Sequence, residues 1–247
     1  MSKQEQDSTH WAPAVDRLNV GDLPEGAINI NVQGKRVMGP MRGFGQLWQK
    51  TYRLRLENVR PAPQEVISVW KENFASFWPR GNALYKSPGA IKAGDVGVIN
   101  TMAPGNVPML STGIYVIYAD DVSFSFMTPE GHPWAGMVTF GAEDSADATH
   151  ASVQVLVRAN DPLYEVGMRT FMSKMEDKIW FGMLAKIAAH FKARGQPTLD
   201  AVLVDRSLQW SEWKNVWQNS GMRTAIYVVS TPIRWLKRRS SKGAANR

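Results

Sequence analysis

Side chains that could perform catalysis are few and scattered in this sequence. The four histidines, at positions 10, 132, 150 and 190, form no HExxH motif and no paired spacing with carboxylates, so we predict no metal site. There is no cysteine and no GxSxG motif, so neither a thiol nor a recognisable serine nucleophile is offered. His132 lies in a Gly-His-Pro segment, where we expect a turn or the rim of a cavity. We predict no catalytic residue and no cofactor.

The carboxylates are expected to face solvent. Most of them fall in predicted turns, and Glu176 and Asp177 lie on the face of a long predicted helix that is turned away from its apolar residues. Glu165 and Arg169 have the i, i+4 spacing of a surface ion pair, which contributes about 0.3–0.5 kcal/mol. If either of these two side chains turned inward, it would be the best anchor for a polar group on a ligand.

Aromatic and methionine side chains are the more informative set. As a group they exceed what one tightly packed core needs, although ordinary core packing is the alternative for any single residue. Methionine adapts to irregular apolar ligands, and ligand pockets are mostly apolar with a few polar groups. Together with His132, these side chains form the set predicted to contact a ligand. The set is Trp70, Phe74, Trp78, Tyr115, Phe124, Phe126, His132, Trp134, Phe140, Met168, Phe171, Met172 and Met175.

A long helix over residues 161–191 is predicted to carry the last part of this set. Asp161 can cap its N-terminus, and Pro162 suits its first position. At 1.5 Å per residue, such a helix spans roughly 45 Å and needs a large curved surface to pack against. Apolar residues at i, i+4 spacing predict one continuous stripe along it. The stripe consists of Leu163, Phe171, Met175, Ile179, Met183, Ile187 and Phe191.

The residues before this helix predict a series of strands. In 48–59, tyrosine and leucine alternate with arginine and glutamate, which indicates a half-buried strand. Further strands are predicted at 96–102, 110–119, 122–127, 136–142 and 152–159, with a short strand-like run at 28–32. One or two short helices are predicted at 64–78. This order of elements indicates the α+β class.

The two ends of the chain are predicted to be extensions of one domain. We expect a disordered leader at 1–20, a turn-rich extension at 21–45, the main domain at 46–195 and a helical, basic extension at 196–247. Within the last of these, 199–218 is expected to be helical, and an apolar run follows at 225–236.

The formal charge of +7 is concentrated at the C-terminus. Seven of the 29 basic residues and none of the 22 acidic residues lie from position 223 onward, so the first 222 residues carry 22 of each sign. A nucleic-acid-binding face within the fold is therefore not expected. The basic end is either a solvated tail or a peripheral contact with an anionic membrane through Trp235, Lys237, Arg238 and Arg239.

No segment indicates secretion or insertion into a membrane. The first 16 residues are polar, and no apolar run approaches the roughly 20 residues of a spanning helix. We therefore expect a soluble, cytoplasmic protein, with peripheral membrane attachment through the basic tail as the alternative.

The order of elements resembles the helix-grip (SRPBCC) superfamily of START, Bet v 1-like and polyketide-cyclase-like proteins. The resemblance covers residues 46 to about 193 and lies in the topology. A closer local likeness, to an uncharacterised domain family of bacteria and plants within this fold, rests on Thr-Pro-Glu-Gly-His-Pro-Trp-Ala-Gly at 128–136, followed by Phe140. That family usually carries acids just after the last glycine, whereas Met137 and Val138 stand there in this chain.

The resemblance implies a curved antiparallel sheet wrapped around the long helix, with an apolar cavity between them. Members of the superfamily mostly bind or carry lipids, sterols, polyketides or plant hormones, and a minority catalyse cyclisation or dehydration of the bound ligand. We therefore expect non-catalytic binding of a hydrophobic small molecule or lipid. The alternatives are a cyclase- or dehydratase-like enzyme, and a membrane-surface module whose core is filled by its own side chains.

Overall fold

The computed structural model describes residues 8–23, 26–105 and 107–230. Nine antiparallel strands form one curved sheet. They are β1 Val37–Met38, β2 Leu47–Leu56, β3 Asn82–Tyr85, β4 Val96–Ala103, β5 Val107–Ala119, β6 Ser123–Pro129, β7 Trp134–Asp144, β8 Thr149–Ala159 and β9 Thr198–Asp205. The order across the sheet is β3-β4-β5-β6-β7-β8-β2-β9, and β1 pairs with β6.

The described part of the chain also forms helices and helical turns. They are α1 Pro63–Phe77, α2 Pro162–Gly167, α3 Ser173–His190 and α4 Ser220–Val229, with a π-helical turn at Met168–Met172 and 3-10 turns at Pro40–Arg42 and Trp210–Gln218. α1 and α3 share one hydrophobic core with the sheet, while α4 packs against β5. A curved antiparallel sheet packed around a long helix is the α+β helix-grip arrangement, so the predicted fold is confirmed.

Strand β2 shows how the sequence directs one face inward. Tyr52 and Leu54 are fully buried, whereas Arg53 and Arg55 beside them are exposed. Because side chains alternate between the two faces of a strand, Lys50 falls on the same inner face as Tyr52. Lys50 is also buried. The inward-facing side of β2 therefore includes one charged residue, Lys50.

An aromatic cluster fills the space between α1, the sheet and the middle of α3. Trp70 and Phe74 of α1 meet Phe124 of β6 and Phe140 of β7, and Trp180 of α3 closes the cluster. The rings of Phe124 and Phe140 are stacked with centroids 4.6 Å apart, and Phe74 meets Phe124 edge to face at 5.4 Å. This part of the core is tightly packed.

The long helix begins where the sequence predicts. The carboxylate of Asp161 accepts hydrogen bonds from the backbone N–H groups of Leu163 and Tyr164, and Pro162 occupies the first helical position. These contacts satisfy two of the N–H groups that a helix leaves unpaired at its start.

The predicted apolar stripe is wrong in the first half of the helix. Phe171 and Met175 are 59% and 45% exposed, and the buried face of α3 passes instead through Glu176, Trp180 and Met183. A step of four residues turns more than one full turn of an α-helix, so a line of i, i+4 residues drifts by about 40° at each step. The π-helical turn shifts the phase further.

The C-terminal extension begins with a strand, where a helix was predicted for 199–218. Strand β9 pairs with the free edge of β2, with Ala201 opposite Lys50 and Leu199 opposite Tyr52. Main-chain hydrogen bonding to this open edge outweighs the helical pattern of the side chains. The rest of the segment forms the 3-10 turns, which leave Trp210 and Trp217 exposed.

Residues 8–20, which we expected to be disordered, pack on the outer face of the sheet. Leu18 is buried there together with Val32, Val98 and Tyr115. The hydroxyl of Tyr115 donates to the carbonyl of Pro13 at 2.8 Å. The segment 28–32 is a loop and turn that supplies Val32 to this outer core, and not a strand.

The residues predicted to contact a membrane, Trp235, Lys237, Arg238 and Arg239, lie outside the described part of the chain. Within the residues that the structure describes, no helix is both long and apolar enough to cross a bilayer.

Candidate functional site

A cavity of about 430 Å³ lies between the sheet and the first half of α3. The sheet forms much of its wall, mostly through aliphatic and aromatic side chains, which include Ile99, Ile114, Phe126, Val138, Val155 and Val157, together with the polar Thr112. On the side of the cavity opposite the sheet, the π-helical turn contributes Met172, and α3 contributes Ile179 and Trp180. The second half of α3 rests on the packed core, so the cavity is confined to the first half.

The structure brings seven of the predicted ligand-contacting residues to this cavity. They are Trp78, Phe126, His132, Trp134, Phe171, Met172 and Met175. They come from six different parts of the chain, which are the residue after α1, strand β6, the turn before β7, the start of β7, the π-helical turn and α3. Their contact with a ligand stays a prediction.

The other six predicted residues lie elsewhere. Trp70, Phe74, Phe124 and Phe140 belong to the packed aromatic cluster and do not line the cavity. Tyr115 faces the opposite side of the sheet, because it is one residue out of register with the inward-facing Ile114. Met168 accepts a hydrogen bond through sulfur from Trp134 Nε1 at 3.0 Å and lines a second cavity.

The mouth of the cavity is surrounded by exposed apolar side chains. Phe171, Met175 and Met109 are 59%, 45% and 50% exposed and also line the cavity. Gly221, in the first turn of α4, reaches the same opening. The backbone N–H of Gly221 donates to the hydroxyl of Tyr164, another lining residue, at 2.9 Å. An apolar molecule would therefore meet an apolar entrance.

A buried ionic cluster lies beside the cavity and reaches its wall through Glu176. Lys50 Nζ is 2.9 Å from Glu176 Oε2, 2.9 Å from Asp177 Oδ1 and 2.8 Å from Ser173 Oγ. The hydroxyl of Tyr52 donates to Asp177 Oδ1 at 2.6 Å. Lys50 and Tyr52 belong to β2, and the other three residues belong to α3. The cluster thus ties the start of α3 to the sheet.

The sequence prediction that Glu176 and Asp177 face solvent is wrong. Glu176 is 1% exposed and lines the apolar cavity, and Asp177 pairs with Lys50. One sequence signal could have shown this. Lys50 stands two and four residues before Tyr52 and Leu54, on the inward face of an alternating strand, and a lysine in that register needs a buried acid as its partner.

Burial controls the electrostatics of this cluster. Loss of contact with water raises the pKa of Glu176, and the nearby ammonium of Lys50 offsets only part of that effect. Burial disfavours the charged form of Lys50 and would by itself lower its pKa. The nearby carboxylates of Glu176 and Asp177 outweigh this effect and raise the pKa of Lys50. Glu176 therefore presents the cavity with a carboxyl group that can accept a hydrogen bond and takes up a proton more readily than an exposed glutamate.

A second cavity of about 250 Å³ lies on the β2 and β9 side of Glu176. Glu165 lines it, with a side chain that is 9% exposed, and holds the more exposed Arg169 at 2.7 Å. The i, i+4 pair predicted from the sequence exists, but Glu165 is buried instead of lying on the surface. Glu165 faces the second, smaller cavity, which has charged walls, whereas Glu176 lines both cavities.

His132 is a buried residue of the cavity wall. His132 Nδ1 lies 3.0 Å from both the backbone N–H and the backbone carbonyl oxygen of Trp134, so the tautomer of the ring decides whether this nitrogen accepts or donates. Burial lowers the pKa of His132 to about 3, so the ring is neutral at physiological pH. Among the described residues, no group of histidines and carboxylates is placed to hold a metal ion.

No protein-family model matches the chain, and no curated protein matches it. Among solved structures, protein Ms6760 from Mycobacterium smegmatis is 10% identical, with a TM-score of 0.43 over 58% of this chain and 90% of that one. The di-domain ARO/CYC StfQ from the steffimycin biosynthetic pathway is 8% identical, with a TM-score of 0.46 over 59% of this chain and 50% of that one. Major latex-like protein 151 from Panax ginseng is 12% identical, with a TM-score of 0.38 over 60% of this chain and 99% of that one.

These similarities concern the arrangement of secondary structure and carry no statement about a ligand or a reaction. The likeness to a domain family of bacteria and plants stays a prediction.

Replacing Lys50 by Met leaves Glu176 and Asp177 without their cation. Removing one partner of a buried ion pair costs about 3–5 kcal/mol, so we expect the free energy of unfolding in urea at pH 7 to fall by about 3 kcal/mol. The double variant Lys50→Met/Glu176→Gln should lose at least about 1 kcal/mol less than the sum of the two single variants. Arg55→Met, which removes an exposed pair with Asp147, is the matched control. Unchanged stability of Lys50→Met would show that the cluster does not hold the helix.

The lowered pKa of His132 predicts a dependence of stability on pH. Between pH 6.5 and about 3, the unfolded chain binds a proton at this position that the folded chain does not bind. Stability conferred by neutral His132 is therefore complete above pH 6.5 and is lost as the pH falls, by at most about 1.4 kcal/mol per pH unit. Unfolding free energies measured from pH 7 to 4 should fall less steeply for His132→Gln than for the wild type. Equal slopes would contradict a buried neutral ring, and His190→Gln serves as the exposed control.

Proposed function

We propose that this protein binds an apolar small molecule or lipid non-covalently in the cavity between the sheet and α3. The observation that carries the proposal is the cavity itself, which has apolar walls and an exposed apolar mouth. Its volume of about 430 Å³ falls within the roughly 300–1,000 Å³ of typical ligand pockets. Water gains few hydrogen bonds from such walls, so an apolar ligand that displaces it is favoured.

The composition of the walls supports a non-catalytic role. The sheet side is built largely from aliphatic side chains, such as Ile114, Val138 and Val155, which offer shape and no chemistry. Met172 and Met175 at the entrance can adapt to ligands of different shape. The alternative of a core filled by its own side chains would require this volume to be occupied by the protein.

Filling the cavity should weaken binding without unfolding the protein. Val138 lines the cavity, whereas Val153 is fully buried in the core and does not line it. We expect Val138→Phe to weaken binding of the neutral fluorescent probe N-phenyl-1-naphthylamine by about tenfold or more, with a change in stability below about 1.5 kcal/mol. Val153→Phe overpacks the core, so it should cost about 1–3 kcal/mol in unfolding free energy and leave the affinity of the folded protein within about threefold of the wild type. Probe binding that is unaffected by Val138→Phe would contradict the proposed site.

We also propose a peripheral contact with anionic membranes beside the mouth of the cavity. Ile226 and Val229 on the outer face of α4 are 66% and 77% exposed, and Met222 at its start is 41% exposed. The chain continues from this helix into the basic tail that contains Trp235 and the Lys237-Arg238-Arg239 cluster. An apolar helix face followed by basic residues is typical of a helix that lies at a membrane surface.

Co-sedimentation with vesicles tests this contact. Each basic residue near an anionic surface contributes about 1 kcal/mol, so replacing Lys237, Arg238 and Arg239 by Gln should weaken binding to phosphatidylserine-containing vesicles by about 100-fold at low salt. Phosphatidylcholine vesicles should bind neither protein. Replacing Arg17, Arg53 and Lys92, which are exposed elsewhere, by Gln is the control for total charge. Binding that is insensitive to salt, or lost equally in the control, would contradict the proposal.

A second candidate function is catalysis by Glu176. The observation that favours it is a buried carboxyl with a raised pKa in the cavity wall, which is the setting of many general acids and bases. In a dehydration, its carboxylate would take a proton from the carbon beside a carbonyl and pass it to the departing hydroxyl, which leaves as water. A bound compound that loses the mass of water with the wild type but not with Glu176→Gln would identify this function. A compound recovered unchanged from both proteins favours carrying.

A further inference from the structure

Two buried polar atoms on residues of the cavity wall have no hydrogen-bond partner among the described residues. They are the indole Nε1 of Trp78 and the hydroxyl of Thr112. Trp78 is 8% exposed and Thr112 is 2% exposed. Leaving a buried donor unpaired is destabilising, so folded proteins pair nearly all such groups.

Apart from the exposed Lys178, the other polar side chains of the wall are paired within the protein. Thr128 Oγ1 donates to the carbonyl of Trp134 at 2.6 Å, and Thr101 Oγ1 donates to Asn82 Oδ1 at 2.7 Å. The hydroxyl of Tyr164 lies 3.0 Å from Ser220 Oγ. Trp70 Nε1 is also unpaired, but Trp70 belongs to the packed aromatic cluster and does not reach the cavity. Arg158 Nε, another buried atom without a partner, likewise belongs to a residue outside the cavity wall, so Trp78 and Thr112 are the two such residues that line the cavity among those described.

The chemistry of these two groups limits what can satisfy them. An indole N–H can only donate a hydrogen bond, whereas a hydroxyl can donate or accept. The group that suits both is an oxygen with lone pairs, such as a carbonyl or a hydroxyl. The positions are fixed by the fold, because Trp78 directly follows α1 and Thr112 lies in the middle of β5, opposite Ile99 of β4.

We propose that the ligand of this cavity is an oxygenated apolar molecule, with a carbonyl or hydroxyl oxygen that accepts hydrogen bonds from Trp78 and Thr112. This inference rests on the proposed function and narrows its ligand class. A plain hydrocarbon would fill the same space and leave both polar groups unpaired. Sites that bury hydrogen-bonding groups discriminate against an analogue that lacks the matching group, because the protein groups then lose their partners.

A matched pair of ligands separates the two cases. Fluorene and fluorenone share one tricyclic skeleton, and fluorenone adds a single carbonyl. We expect the wild type to bind fluorenone at least about tenfold more tightly than fluorene, measured by displacement of N-phenyl-1-naphthylamine. The carbonyl stretching band of bound fluorenone should shift to lower frequency, as expected for a hydrogen-bonded carbonyl.

Two conservative variants assign the effect to the two side chains. Thr112→Val keeps the shape of the side chain and removes its hydroxyl, and Trp78→Phe removes the indole N–H. Each should reduce the preference for fluorenone to about threefold or less, while the affinity for fluorene changes less than about threefold. Thr101→Val is the matched control, because Thr101 also lines the cavity but its hydroxyl is already paired with Asn82. If Trp78→Phe fails to fold, the comparison of Thr112→Val with Thr101→Val decides the point.

The outcomes distinguish this inference from the proposed function. Equal affinity of the wild type for fluorene and fluorenone would overturn the inference and support the apolar cavity, since both compounds would then bind through shape alone. A preference for fluorenone that survives Thr112→Val and Trp78→Phe would also overturn it. Binding of neither compound, with no displacement of the probe, would count against the proposed function and against the inference that rests on it.

Discussion

The ionic cluster of Lys50, Glu176 and Asp177 is the interaction on which the arrangement of this protein depends. It joins the inner face of β2 to the start of α3, through atoms that are largely removed from water. Buried ion pairs are costly to desolvate and seldom add net stability, but breaking one is strongly destabilising. The cluster therefore fixes where the helix can lie more than it adds to the overall free energy. A helix held in this way keeps its first half over the cavity.

The other end of the same helix is held by packing. Trp180 joins the aromatic cluster, and Met183 and Ile187 are fully buried beneath the second half of α3. One helix is thus fixed by charge at its start and by close packing further along, and the cavity lies beside the first of these two contacts. The π-helical turn at Met168–Met172 immediately precedes the cluster, and such turns are frequent at functional sites. Selective binding would then depend on the few polar groups that this cavity retains.

The sequence predicted the elements well and the roles of individual faces less well. The fold class, the capped start of the long helix and seven cavity residues followed from periodicity, capping and composition. Glu176 was wrongly predicted to face solvent, because a line of i, i+4 residues drifts around a helix and the π-helical turn shifts the phase of the helix further. Strand β9 was missed because an edge strand is decided by the free edge it pairs with, and the short strands β1 and β3 carry too few residues to show a period. The packing of residues 8–20 depends on the outer face of β5, which local sequence does not reveal.

Native mass spectrometry of the purified 247-residue chain, followed by organic extraction, tests the central claim most directly. We predict that the folded protein carries a reproducible additional mass, that the mass is lost on denaturation, and that the extracted compound is apolar with at least one oxygen. Val138→Phe should carry less of it than the wild type. A protein that is free of any bound compound, and that shows no thermal shift across a panel of lipids and polycyclic ketones, would contradict a ligand-binding cavity.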